Sequence, residues 1–228
     1  MLLLAFDTAT PAVTVALHDG ARLLAEESTV DARRHGELLA VSIRQVLAAA
    51  GAVAGDLTGV AVGVGPGPYT GLRAGLVTAR VLGSALGVPV HGACTLDVIA
   101  RAVASGLAGA PAGRAVSATA GGDFVVATDA RRKEVYWARY TATGQRVGGP
   151  GVSAPGELGA RCPVAGEGAL LYPAELGAPI EPRYPSAAWL ADLAAERIMR
   201  GAPMLAAEPL YLRRPDARIP GPLKRVTP

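Results

Sequence analysis

The sequence predicts an α/β fold of mixed sheets flanked by helices, and three observations carry that expectation. Short apolar runs at the start of the chain are broken by turn formers and followed by alternating strand and helix patterns. A glycine-rich loop, Gly65 to Gly71, joins an apolar strand pattern to a helix that is small or apolar on nearly every face. The strand, Asp-containing turn and strand that open the chain recur at 124–140, which hints at an internal duplication.

Taken in order, Leu2 to Phe6 reads as a buried strand, interrupted by Asp7, Thr8, Ala9, Thr10 and Pro11. Val13, Val15 and Leu17 alternate with Thr14, Ala16 and His18 in a second strand, which Asp19-Gly20 ends with a hairpin signal. Leu23 to Val30 is the third strand. Arg33 to Ala50 is a helix with Leu39, Ile43, Val46, Leu47 and Ala50 on one face and Gly51 as its stop. Gly59 to Val64 is the fourth strand. In the helix from Gly71 to Gly87, Gly71, Gly75, Ala79, Gly83 and Gly87 recur every four residues, beside a row of Leu72, Leu76, Leu82 and Leu86; Arg73 and Arg80 are its charges. Glycine costs about 1 kcal/mol relative to alanine inside a helix, so this stripe implies close approach of another element. A short strand at Val88–Val90 follows, then a helix from Leu96 to about Ala104 that Thr95 could cap.

Residues 106–122 are small and carry a single charge, which makes them the expected boundary between 1–105 and 106–228. Phe124–Thr128 and Val135–Tyr140 read as strands about the Asp129-Ala130-Arg131 turn. The stretch 144–177 is rich in glycine and proline with short apolar pieces such as Pro163–Ala165, and Ala187–Arg200 is a helix. The tail from Pro209, with Tyr211, Arg213, Arg214, Arg218, Lys224 and Arg225 among prolines, reads as extended and partly disordered.

Composition excludes several classes. Half of the 228 residues are apolar, so a sizeable core is available. Cys94 and Cys162 make neither a disulfide framework nor a metal spacing, and Cys94 reads as a buried structural cysteine. His18, His35 and His91 are scattered, with no zinc-type pairing. No Gly-x-Ser-x-Gly elbow or other nucleophile–base pair supports a peptidase. A net charge of +3 is too small to argue for nucleic acid by itself. The first residues are too short an apolar run for a signal peptide and no run reaches membrane-span length, so a cytoplasmic protein is expected.

The chemistry-bearing candidates cluster near the first turn. Asp7 and Thr8, with Gly65, Gly67, Thr70 and Gly71, could form a phosphate-binding loop, since glycines admit backbone N–H groups to an anion at a helix start. The loop matches neither the P-loop nor the dinucleotide fingerprint, so structural turn and anion site both stay open. Asp7 with Thr8 and Thr10, between two strands, could hold a metal–phosphate group; an Asx-turn is the preferred reading. No metal site is expected, because no His, Cys and carboxylate ligands cluster.

The stretches LLLAFDTATPAVTVAL (2–17), RRHGELL (33–39), GPGPYTGLRAGLVTAR (65–80), DARRKEVYWARY (129–140) and PLYLRR (209–214) together resemble the TsaB (YeaZ) family, with Pro68-Tyr69 where that family usually carries Ser-Phe. The resemblance implies an actin-like, Hsp70-like (ASKHA) fold of two duplicated lobes. It also implies a non-catalytic dimerisation subunit of the tRNA threonylcarbamoyladenosine machinery. The implied partners are the paralogue TsaD, which transfers the threonylcarbamoyl group to N6 of adenosine 37 in tRNAs reading codons that start with A, and, through the complex, the ATPase TsaE. A homodimer is implied when the partner is missing. ATP and a metal belong to those partners, and no cofactor to this chain. The paralogue's two metal-binding histidines fall at Thr95 and Ile99, neither of which ligates iron or zinc usefully. tRNA would be met indirectly or through the basic tail. The family's dimers use the helices at 33–50 and 71–87, so Leu39, Ile43, Gly71, Arg73, Gly75, Leu76, Ala79, Arg80 and Gly83 are the expected partner interface. Packing of the stripe against the chain's own sheet is the alternative. The functional alternative is an autonomous nucleotide-dependent kinase or ATPase on the same fold, for which Asp7 and Asp129 are the obvious carboxylate pair.

Overall fold

The computed structural model describes residues 1–106, 122–159 and 162–213. The first sheet is built from β1 (Leu3–Asp7), β2 (Ala12–His18), β3 (Leu23–Val30), β4 (Gly59–Gly63) and β5 (Val90–Ala93). Its order is β3-β2-β1-β4-β5, an antiparallel meander extended by two parallel strands. The second sheet comprises β6 (Phe124–Asp129), β7 (Val135–Tyr140), β8 (Arg146–Ser153), β9 (Val164–Ala165) and β10 (Pro179–Ile180). Its order, β8-β7-β6-β9-β10, and its strand directions repeat the first. The echo between the two Asp turns is therefore a true repeat of topology.

The helices are α1 (His35–Ala49), α2 (Tyr69–Leu86), α3 (Thr95–Gly106), the short α4 (Glu167–Leu171) and α5 (Pro173–Leu176), and α6 (Ala187–Met199). Strand alternation decides what each sheet face meets. Leu4 and Phe6 of β1, with Val13, Val15 and Leu17 of β2, pack beneath Leu39, Ile43 and Val46 of α1 and Leu72, Leu76 and Ala79 of α2. The small residues on the opposite face, Ala5 and Ala61, with Leu3, admit α6 through Leu190, Ala191 and Ala194. In the second sheet Phe124, Val126 and Tyr140 meet Leu96, Ile99 and Val103 of α3, while Val125, Val135 and Val164 meet Ala169 and Leu176 of α4 and α5. Since α3 also packs on α6, the layers run helix, sheet, helix, sheet, helix. The sheets fall on either side of residue 106, but the helices cross: α3 covers the second sheet and α6 covers the first. Most of the expected boundary at 106–122 lies outside the described residues, as does the tail beyond 213.

Some expected elements shift. The strand expected at Val88–Val90 is β5 at Val90–Ala93, because parallel pairing with β4 sets its register from Val60↔Val90 onward and Val88 instead closes α2 through its N–H to the Gly83 carbonyl. α2 ends on Gly87 in the left-handed conformation, φ 66°. Thr95 opens α3, and its hydroxyl is spent on Asp7. No described helix is long and apolar enough to cross a membrane.

Candidate functional site

The C-terminal ends of β1 and β6 bring the two Asp turns to a cleft between the sheets. Asp7 is fully buried. Its Oδ1 accepts the Ala9 N–H at 2.7 Å, an Asx-turn, and its Oδ2 accepts the Thr95 hydroxyl at 2.7 Å. Gly63 closes the remaining side, where any Cβ would overlap the carboxylate. Burial raises the Asp7 carboxyl above its ordinary value, against the opposing pull of the Ala9 N–H and the Thr95 hydroxyl. In the second lobe Asp129 repeats the turn: Oδ1 accepts the Arg131 N–H at 2.8 Å, and Oδ2 pairs with the Arg131 guanidinium at 3.1 Å.

The glycine loop packs on the β1–β2 turn. A Cβ at Gly67 would overlap the Ala9 backbone, one at Gly71 would meet the Thr8 carbonyl and the His35 ring, and one at Gly75 would meet Thr8 Oγ1. The Thr8 hydroxyl donates to the Gly71 carbonyl at 2.8 Å, and the Gly65 carbonyl accepts the Thr95 N–H at 2.8 Å. Of the residues expected at a phosphate loop, Thr8 and Gly71 bond each other, Asp7 and Gly65 both bond Thr95, and Gly67 lies against the Ala9 backbone. Thr70 is exposed at the start of α2. Beside it lies a cavity of about 170 Å³ lined by Thr8, Thr10, Thr70, Gly71, His35 and, from the second lobe, Arg131, among other residues. Asp7 is not among them, and among the described residues no carboxylate lines it. Among the described residues no group of three His, Cys, Asp or Glu converges on a metal position. Asp7 itself is sealed beneath the turn by its bonds to Ala9 and Thr95. Cys94 is buried, and burial with nearby Asp97 pushes its thiol up to about 11.

Most residues of the expected partner interface are covered within the single chain. Leu39, Ile43, Gly71, Gly75, Leu76, Ala79 and Gly83 are all buried by the chain itself, since Thr8 fills the groove at Gly71 and Gly75 and Val90 lies against Gly83. Of the expected residues only Arg73 and Arg80 are exposed. They belong to the opposite stripe of α2, which carries Arg73, Val77, Arg80, Val81 and Ser84. Val77 and Val81 are each 60% exposed. On α1, which packs against α2, Val41 is 40% exposed.

Two features escape a reading of the sequence. The chain after α6 forms a strap between the lobes. Leu205 pairs with Gly92 of β5, the Leu210 N–H donates to the Val64 carbonyl at 2.8 Å, Tyr211 accepts from Arg73 Nε at 3.0 Å, and Arg213 pairs with Glu134. A tail of prolines and arginines gives no periodic signal for this path. The second feature is the β6–β7 turn, where Arg131, Arg132 and Lys133 have φ of 62°, 55° and 61°. Three successive left-handed L-residues cost about 1 kcal/mol or more each.

Two five-stranded sheets of one topology, with helices between and outside them, define an actin-like fold of duplicated lobes. The family model for TsaD, tRNA N6-adenosine threonylcarbamoyltransferase, matches residues 23–168, and the chain belongs to this family, on its TsaB (YeaZ) side. The structure of YeaZ from Pseudomonas aeruginosa matches with a TM-score of 0.76 and 27% identity over 92% of this chain and 99% of that one. A Pseudomonas aeruginosa protein described as similar to peptidase YeaZ matches with a TM-score of 0.78 and 28% identity over 93% and 99%. An uncharacterized protein of Mycobacterium tuberculosis is 44% identical over 219 residues, covering 94% of this chain and 93% of that one.

Proposed function

We propose that this chain is a non-catalytic partner subunit of the cytoplasmic complex that places a threonylcarbamoyl group on N6 of adenosine 37 in tRNAs reading codons that start with A. The observation that carries this reading is Asp7. The carboxylate that the kinase alternative would need at the end of the first strand is buried and taken up by Ala9 and Thr95. A subunit of this kind contributes surface. It pairs with a TsaD paralogue, meets the TsaE ATPase through the assembly, and pairs with itself when alone; ATP and the metal are held by the partners.

The surface that fits is the outward stripe of α2 with α1 beside it. Burying an exposed valine contributes about 1.5–3 kcal/mol, so Val77 and Val81 can anchor an interface with Arg73 and Arg80 at its rim. Val77→Asp with Val81→Asp is expected to abolish co-purification with the partner and to shift the free chain to monomer on sizing. Its melting temperature should stay within about 2 °C of the wild type, because neither side chain supports the core. A folded double variant that still pairs would place the interface elsewhere.

The autonomous kinase or ATPase reading predicts tight, magnesium-dependent nucleotide binding. The isolated chain is instead expected to give little or no magnesium-dependent heat with ATP or ADP in calorimetry, since among the described residues no carboxylate lines the cavity to hold the metal. Micromolar binding would favour the kinase reading.

A further inference from the structure

Two basic segments distant in sequence meet at the rim of one cavity. Ala32 and His35 line it from the start of α1, and Arg131 lines it from the second lobe. Their neighbours Arg33, Arg34, Arg132 and Lys133 are all exposed. The carboxylates nearby are spoken for or set back. Asp31 accepts the Arg33 N–H, Glu37 pairs with Arg34 at 2.9 Å, Asp129 with Arg131 at 3.1 Å, and Glu134 with Arg213 of the strap. Arg33 and Lys133 make no ion pair among the described residues.

The turn that carries the second segment is built to an expensive design. A hairpin of this kind closes cheaply on Asn-Gly, whose residues accept positive φ. Here three cationic L-residues hold φ of 62°, 55° and 61°. Asp129 pins the first of them, and the Ala130 and Glu134 N–H groups close the turn on the Glu134 and Arg131 carbonyls. Nothing from Arg131 to Glu134 is apolar, and Lys and Glu are depleted at protein interfaces, which centre on aromatic and aliphatic anchors. Closely spaced Arg and Lys without apolar neighbours suit a phosphate backbone.

We propose that this rim, with Arg131, Arg132 and Lys133 on one side of the cavity and Arg33 and Arg34 on the other, takes the phosphate backbone of RNA. The choice of RNA rests on the tRNA-modification reading above. The rim positions the RNA without reading its bases, so affinity depends on salt and little on sequence.

The test uses the full-length chain, alone and with its TsaD partner, and a labelled anticodon stem-loop transcript as probe. Arg33→Glu with Lys133→Glu reverses one charge on each segment and breaks no ion pair. The double variant should bind the transcript at least tenfold more weakly, and the slope of log K against log salt should fall by about 1 per lost contact. Pairing with the partner, read by sizing, should be unchanged. Lys133→Gly supplies a second arm: it should melt at the same temperature as the wild type or up to about 3 °C higher, because glycine accepts this φ, while RNA affinity falls. Wild-type protein that does not bind the transcript, a folded double variant with unchanged affinity and slope, or loss of partner pairing along with RNA binding would each overturn the proposal. A wild-type chain that binds the transcript but fails to pair with a TsaD partner sinks the subunit reading and leaves the rim intact as an RNA contact.

Discussion

Gly75→Leu is expected to destabilise the protein by about 3–5 kcal/mol and to lower its melting temperature by about 10 °C or more, whether or not a partner is present. The cause lies inside the chain. α2 rests on the β1–β2 turn, and the space a side chain at 75 needs is occupied by Thr8 Oγ1, whose hydroxyl also holds the Gly71 carbonyl at 2.8 Å. A leucine must push the helix off the sheet and open the packing of Leu72, Leu76 and Ala79 over Phe6 and Val62. The pair Gly75→Ala and Thr8→Ala gives the cleaner measurement. Gly75→Ala alone should cost about 1–3 kcal/mol, and adding Thr8→Ala should restore part of that loss, because the clashing atom is gone at the cost of one hydrogen bond worth about 1 kcal/mol. Thermal melts of the four proteins decide it. A Gly75→Leu protein that melts like the wild type yet no longer pairs would mean that the glycine stripe faces outward.

Those residues also mark where sequence reasoning reached and where it stopped. Close approach at Gly71, Gly75 and Gly83 is legible, because glycine at every fourth helical position has no other physical use at that price. What approaches is not, since the occupant is a threonine from a turn far away in sequence at Gly71 and Gly75 but Val90 of the next strand at Gly83, and a stripe of small residues looks alike whether it faces a neighbour or its own sheet. The outward valines, 77 and 81, were hidden by the helix's apolar character all round. The repeat was legible because Asp7 and Asp129 make the same Asx-turn at the end of the first strand of each sheet. β8 was not. Its Gly148, Gly149, Pro150 and Gly151 carry no strand propensity, and the ladder with β7 overrides that, with Trp137 lying so close to Gly151 that a Cβ there would sit 3.0 Å from the indole. The left-handed turn was invisible for a similar reason: arginine and lysine carry no preference for positive φ, so only tertiary structure imposes it on Arg131, Arg132 and Lys133.

Asp7→Asn is expected to be at least as stable as the wild type at pH 7, while Asp7→Ala should lose about 2–4 kcal/mol. The alanine strands the Ala9 N–H and the Thr95 hydroxyl in a buried site and leaves a void. The asparagine keeps an oxygen for Ala9 and offers an amide N–H to Thr95, whose oxygen turns from donor to acceptor. It also removes a charge that burial disfavours. Because the folded state raises the Asp7 carboxyl, it holds that proton more tightly than the unfolded chain does. The contribution to stability is therefore fully present below the ordinary value of 3.8 and is lost as pH rises through the raised folded value. The advantage of Asn over Asp should accordingly be greatest at pH 7–8 and shrink as the pH falls toward about 4. Melting curves of both proteins across that range test the sign; an advantage that grows on acidification would mean that a cation pairs with Asp7 in the folded chain. The same variants separate the two functional readings. In the assembled complex Asp7→Asn should leave tRNA modification within about twofold of the wild type, because the residue holds the turn and does no chemistry. A carboxylate that anchors a metal or acts as base would lose about 100-fold or more on the same change, and with it the partner-subunit reading would fall.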